Sequence, residues 1–176
     1  MRGNDATGVI REIERRGCES GLYSTWRLRA GDREAVREVF DGLSEGSRRL
    51  RFHGPKPKLA DAEVEALADV GCCGREAVGA IDLRTGEVVG IARFVRDDED
   101  ERTAEVAFEV VDACHGHGVG SRLLGELTSL AKRDGVERFV AHVAYGNEAA
   151  LALLRRLGRV VSASFSDGAH ELVVEI

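Results

Sequence analysis

A chain of 176 residues that is 43% hydrophobic and 32% charged marks a soluble globular protein, with enough apolar material for one sizeable core. The formal net charge of -6 argues against nucleic acid as the main partner, because such proteins carry basic patches. No apolar run approaches the length of a membrane span, and the N-terminus, MRGNDATGVIREIERRG, has no apolar signal core, so no membrane partner is expected and the cytoplasm is the default compartment. Of the four cysteines, Cys72 and Cys73 are adjacent while Cys18 and Cys114 stand alone. None forms a C-x-x-C spacing, and buried or semi-buried free thiols are the expectation.

Residues 1–20 are polar with a weak apolar stripe at Val9, Ile10 and Ile13, and read as an N-terminal extension to a domain over 21–176. Leu22 to Arg29 alternates apolar and polar residues and predicts a first strand. Asp32 is the expected cap of a helix that carries Ala35, Val36, Val39, Phe40 and Leu43 on one face. The stretch from Ser47 to Lys58 holds two prolines, a glycine and a crowd of positive charges, and predicts irregular chain. A second helix capped by Asp61 follows, with Val64, Leu67 and Val70. Arg75 to Leu83 and Glu87 to Val95 read as a hairpin around Thr85-Gly86, and Asp97 to Glu101 as an acidic turn.

The most informative stretch is AEVAFEVVDACHGHGVGSRLLGELTSL, from Ala104 to Leu130. Ala104 to Val111 predicts a strand. Val119, Leu123, Leu124, Leu127, Leu130 and Ala131 lie at helical spacing. Between them, Gly116, Gly118 and Gly120 leave backbone amides bare at a helix N-terminus, where unpaired donors and the helix dipole favour an anion such as a phosphate. A Walker loop would need Lys-Ser/Thr after its last glycine, and here Ser121-Arg122 follows Gly120. A G-x-G-x-x-G dinucleotide fingerprint would need its third glycine one residue later. Downstream, Arg138 to Ala144 predicts a strand, Ala149 to Leu157 a helix, and Arg159 to Ser164 and His170 to Glu175 two final strands. The order is β-α-α-β-β-β-α-β-α-β-β, a mixed α/β sheet with helices on both faces.

His115-Gly116-His117-Gly118-Val119-Gly120 resembles the Q/R-x-x-G-x-G/A pyrophosphate loop of the GNAT acetyltransferases, with His115 where Gln or Arg is usual. Asn147-Glu148-Ala149-Ala150, Leu153 and Leu157-Gly158 resemble that family's N-x-x-A…L…G pattern, in the right order and at the right separation. The likeness covers roughly Leu22 to Ile176 and implies the same order of elements. Within the family, the run from Ser47 to Val64, the segment AEVAFEVVD and GVERF before the fifth strand are similar to bacterial Pat-type protein lysine acetyltransferases. The chain departs from that branch at His53-Gly54 and at His115-Gly116-His117. At this length it leaves no room for the cyclic-nucleotide-binding or acyl-CoA-synthetase-like domain often fused to that module, so regulation through such a domain is not expected.

The resemblance implies acetyl transfer from acetyl-CoA to an amine, with no metal. A lysine amine, of pKa about 10.4, must lose a proton before it attacks a thioester. Glu105 and Glu109 alternate to one strand face, and Glu105 matches the position of the Pat-type glutamate believed to act as base; a solvated carboxylate is the plain reading of Glu109. By position in the family, the Val110 amide would hold the oxyanion, and backbone groups of Phe108 and Val110 would pair with the pantetheine arm. The loop residues His115 to Gly120, with Ser121, would hold the pyrophosphate, and Asn147 would reach the arm, cap its helix, or both. Many members place a Tyr seven residues after that Asn; here the position is Leu154.

His53, His142 and His170 read as core or surface histidines without metal spacing, and Cys114 as a packing thiol. The basic Arg48, Arg49 and Arg51 would gate the cleft, dock an acidic surface, or merely be solvated. The expected acceptor is a protein lysine, with an acyl-CoA synthetase the partner that the resemblance implies. A small amine acceptor, or a degenerate acyl-CoA-binding module, are the rivals.

Overall fold

Strands β1 (Tyr23–Arg27), β2 (Arg75–Asp82), β3 (Val88–Arg96), β4 (Thr103–Val110), β5 (Arg138–Ala144), β6 (Arg159–Ser166) and β7 (Ala169–Glu175) form one sheet in the order β1-β2-β3-β4-β5-β7-β6. This is a computed structural model, and it describes residues 22–176. The extension read over residues 1–20, and with it Cys18, lies outside the described residues. The helices are α1 (Arg33–Asp41), α2 (Glu45–Phe52), α3 (Asp61–Ala68), α4 (Val119–Arg133) and α5 (Glu148–Leu157). Among the described residues no helix is long and apolar enough to cross a membrane.

Helices α4 and α5 cover one sheet face, where Leu123, Leu124, Leu127 and Leu154 meet Phe94 and Phe139, all fully buried. Helices α1 and α3 cover the other face over the N-terminal strands, through Val36, Val39 and Val64 against Leu28 and Ile91. Burying each such side chain contributes about 1.5–3 kcal/mol relative to exposure. That gain fixes both layers on strands whose alternation was already plain in the sequence.

Neighbouring strands run antiparallel except β4 and β5, which are parallel. Their pairing is short: Thr103↔Arg138, Ala104↔Phe139 and Glu105↔Val140. At the start of this contact the strands are pinned. The amides of Glu137 and Arg138 both donate to the Arg102 carbonyl, and Arg138 Nη2 meets Asp100 Oδ2 at 2.7 Å. Beyond Glu105, β4 stays with β3 as far as Gly90↔Val110, while β5 stays with β7 as far as Ala144↔Ala169. The two half-sheets therefore part along β4 and β5.

Three local expectations are corrected. The first half of the stretch read as irregular forms α2. Ser44 Oγ accepts from the Ser47 amide as its N-cap, Glu45 and Arg49/Arg51 sit at the dipole-complementing ends, and the breakers Gly54-Pro55 come only after His53 closes the helix at φ 57°. Asp32 stands at the N-cap position of α1 but its carboxylate does not bond to the helix amides, and Asp61 lies one residue past the N-cap of α3. Asp32 accepts from the Arg29 amide instead. Asp61 is the first residue of α3 and pairs with Arg37, while Glu63 accepts from the Ala60 amide. Cys72 and Cys73 are exposed in the turn that enters β2, whereas Cys114 is buried as read.

Candidate active site

The parting strands enclose a cleft of about 440 Å³. Its walls come from β4 between Glu105 and Val110, from Ala141, His142 and Val143 on β5, from the glycine loop, from Asn147, Leu153 and Leu154, and from Leu50, Arg51 and His53 at the end of α2. Every predicted site residue lines it except His117, which is half-buried with its Nδ1 enclosed and unpartnered. His53 and His142, read as ordinary core or surface residues, also face the cleft.

The loop has the form an anion needs. Gly116 and Gly118 have φ of 78° and 82°, a region side chains rarely adopt, and a Cβ at either would point into open space. The amides from Gly116 to Ser121 donate to no backbone carbonyl among the described residues, and α4 begins within that run. Bare donors and the positive end of the helix dipole thus coincide. Gly120 has a different reason: a Cβ there would come within 2.9 Å of Leu153 Cδ1, so this glycine lets α5 approach α4.

The β4 backbone offers a second binding edge. Val111 donates to the Val89 carbonyl, and an antiparallel ladder alternates, so Phe108 and Val110 turn their polar groups away from β3. They face the side where β5 has already left. One of these groups is engaged: His115 Nε2 lies 2.7 Å from the Val110 carbonyl oxygen. Asn147 accepts from the Ala150 amide through Oδ1, so it is the N-cap of α5 and a cleft residue at once. Leu154, where many family members have Tyr, is fully buried.

The two strand glutamates differ sharply. Glu105, on the last pair before the strands part, is exposed to the cleft. Glu109 is not the solvated carboxylate expected. Its side chain is 8% exposed, Oε2 accepts from Arg51 Nε and Oε1 from Arg93 Nη2, both at 2.7 Å. Burial pushes this carboxyl up, but the two guanidinium groups outweigh it and hold it below the ordinary carboxylate range. A carboxylate so held is a poor proton acceptor. Arg93 also donates through Nη1 to the Leu67 carbonyl at 2.9 Å. The sequence did carry a sign of Arg93: a charge inside the otherwise apolar β3 must find a partner. Arg48 neither gates nor docks. It stacks on Phe40 and donates to the carbonyls of Phe40, Asp41 and Pro57. No group of three or more metal-ligating side chains occurs among the described residues.

The profile of the acetyltransferase (GNAT) family matches residues 48–158. The chain belongs to that family. Acetyltransferase Pat of Mycolicibacterium smegmatis is 45% identical over 75 residues, which make up 43% of this chain. The match covers only 22% of that relative's own length. Acetyltransferase PA5475 of Pseudomonas aeruginosa is 30% identical over 135 residues, 76% of this chain and 72% of that protein. In three dimensions the GNAT domain of S. lividans PAT superposes with a TM-score of 0.78 at 27% identity, covering 86% of this chain and 89% of that one. The mixed sheet and its order of strands are those of a GNAT domain.

The buried carboxylate generates a stability prediction. Glu109→Gln leaves two guanidinium groups against a neutral amide, and breaking a buried pair this way costs about 3–5 kcal/mol. Urea unfolding should show that loss as a lower midpoint at unchanged slope. The native carboxyl lies below its unfolded value of about 4.3, so the advantage of wild type is complete above that pH and fades as pH falls through the native pKa. Glu105→Gln, on an exposed site, should stay within about 0.5 kcal/mol of wild type.

Proposed function

We propose that this domain transfers the acetyl group of acetyl-CoA to a lysine side chain of a protein, by direct attack with both substrates bound. The observation that carries the reading is the convergence, in one cleft, of a bare amide run, an unpaired strand edge and an accessible glutamate where the strands part. Acetyl-CoA, when bound, supplies an activated thioester. In this reading Gly116, Gly118, Val119, Gly120 and Ser121 present amides to the pyrophosphate, with His115 and His117 flanking them. The backbones of Phe108 and Val110 take the pantetheine arm as an added strand, for which His115 must yield the Val110 carbonyl. The Val110 amide serves the oxyanion, and Asn147 steadies the arm.

Glu105 is the general base, directly or through a water, because Glu109 is tied to two arginines. Leu154 offers no proton to the departing sulfur, which leaves as a thiolate, a good leaving group. The resemblance to Pat-type acetyltransferases supports a protein acceptor such as an acyl-CoA synthetase, and in this reading the reaction is cytoplasmic.

Three outcomes test this reading. Gly118→Glu puts a side chain and a negative charge against the pyrophosphate site. Calorimetry should show acetyl-CoA binding lost while thermal unfolding stays cooperative, and ATP and NAD should give wild type no thermal shift. Glu105→Gln should lower kcat by roughly 100- to 10,000-fold with acetyl-CoA affinity unchanged. The variant should partly recover at high pH, where more of the acceptor amine is neutral. With cell lysate and labelled acetyl-CoA, label should appear on a few discrete proteins. Label confined to the low-mass fraction would instead establish a small-amine acceptor.

A further inference from the structure

Two guanidinium groups and one carboxylate meet at the wall of the cleft, a contact cluster with one net positive charge. Arg93 is held from both sides, by Glu109 and by the Leu67 carbonyl, and its side chain is 8% exposed. Arg51 is held on one side only. Its Nε is spent on Glu109 and its guanidinium lies 5.1 Å from the Phe52 ring centre, while Nη1 and Nη2 have no protein acceptor among the described residues. Arg51 lines the cleft and is one-fifth exposed. A guanidinium anchored through Nε and stacked on an aromatic ring has lost most of its rotamer freedom. Its remaining edge is the planar fork that binds a carboxylate through two parallel hydrogen bonds.

From these contacts we infer that Arg51 is a specificity-determining residue for the acceptor, which carries a carboxylate placed to reach Arg51 while its amine is acetylated. The inference rests on the acetyl-transfer reading for the word acceptor, but the anion subsite itself does not. Glu109 adjoins Val110, whose amide is assigned to the oxyanion, so the cluster stands beside the point of attack, and within it Arg51 has the unspent hydrogen-bonding edge. A simple cationic amine leaves the free edge of Arg51 without a partner, whereas an amine bearing a carboxylate is held and oriented by it. Glu109 and Arg93 act through Arg51: they position it and keep its charge in place. The carboxylate can belong to a free amino acid or to an acidic residue beside a lysine in a peptide.

The test uses matched probes that differ only in that carboxylate. L-lysine is compared with L-lysinamide, and a peptide containing Glu-Lys with its Gln-Lys counterpart. In at least one pair kcat/KM should favour the carboxylate by about ten-fold or more, and the pair that responds identifies the source. In Arg51→Gln the preference should collapse to within about two-fold. Arg51→Lys, which keeps the charge and loses the fork, should fall between and serves if the glutamine variant does not fold. Independently of transfer, glutarate should bind the CoA-loaded wild type by calorimetry, glutaramide should not, and the variant should bind neither.

Equal rates within both pairs, with no glutarate binding, overturn the subsite, and continued transfer in that case leaves the acetyltransferase reading intact. Glutarate binding that depends on Arg51, with no transfer to any amine, upholds the subsite and defeats the acetyltransferase reading. A loss of CoA affinity in Arg51→Gln with acceptor preference unchanged assigns the arginine to CoA and overturns the proposal.

Discussion

The short parallel contact between β4 and β5 governs everything else in this fold. The Asp100–Arg138 pair and the shared Arg102 carbonyl hold the strands together at one end, and after Glu105↔Val140 each strand belongs to a different half-sheet. An unpaired strand edge in a protein interior normally costs the full desolvation of its amides and carbonyls. Here the edge faces a cleft, so water or a ligand can satisfy it. The fold places the start of α4, with its bare amides, at the wide end of this opening. It places Glu105 at the narrow end. The unpaired edge, the run of bare amides and the exposed position of Glu105 are consequences of one interrupted ladder.

The Arg51–Glu109–Arg93 cluster is the other unusual expenditure. Three charges withdrawn from water rarely add net stability against an apolar alternative. Such a cluster instead fixes geometry: it ties α2, which contributes no buried side chain of its own, to the strand that carries the cleft. Asp112 does the same at the other end of α2, accepting from Ser44 N, Ser44 Oγ and Ser47 Oγ. A polar helix is thus docked over the cleft by charge and hydrogen bonds.

This explains what was legible in the sequence and what was not. The strands could be read because alternation in segments such as TAEVAFEV and RFVAHVA directly records which side is buried. Helix α4 could be read from its leucine spacing and its glycine loop from the positions of Gly116, Gly118 and Gly120. Helix α2 was missed because none of its side chains is buried, so no apolar run marks it, and two prolines lie just beyond its end. The partners of Glu109 lie 16 and 58 residues away, and only the folded chain brings them together. His117 was grouped with the loop by proximity, but the positive φ of its two glycine neighbours turns the chain so that it does not line the cleft.

The hydrogen bond from His115 to the Val110 carbonyl has a bearing on solubility. A strand edge with free acceptors is a template for a neighbouring chain, and proteins that carry one usually blunt it with charge, proline or a bulge. An imidazole on the edge carbonyl, in a cleft lined in part by α2, takes up one of those acceptors and is removable at the cost of a single hydrogen bond. His115 thus occupies, reversibly, the Val110 acceptor that a neighbouring strand would otherwise use.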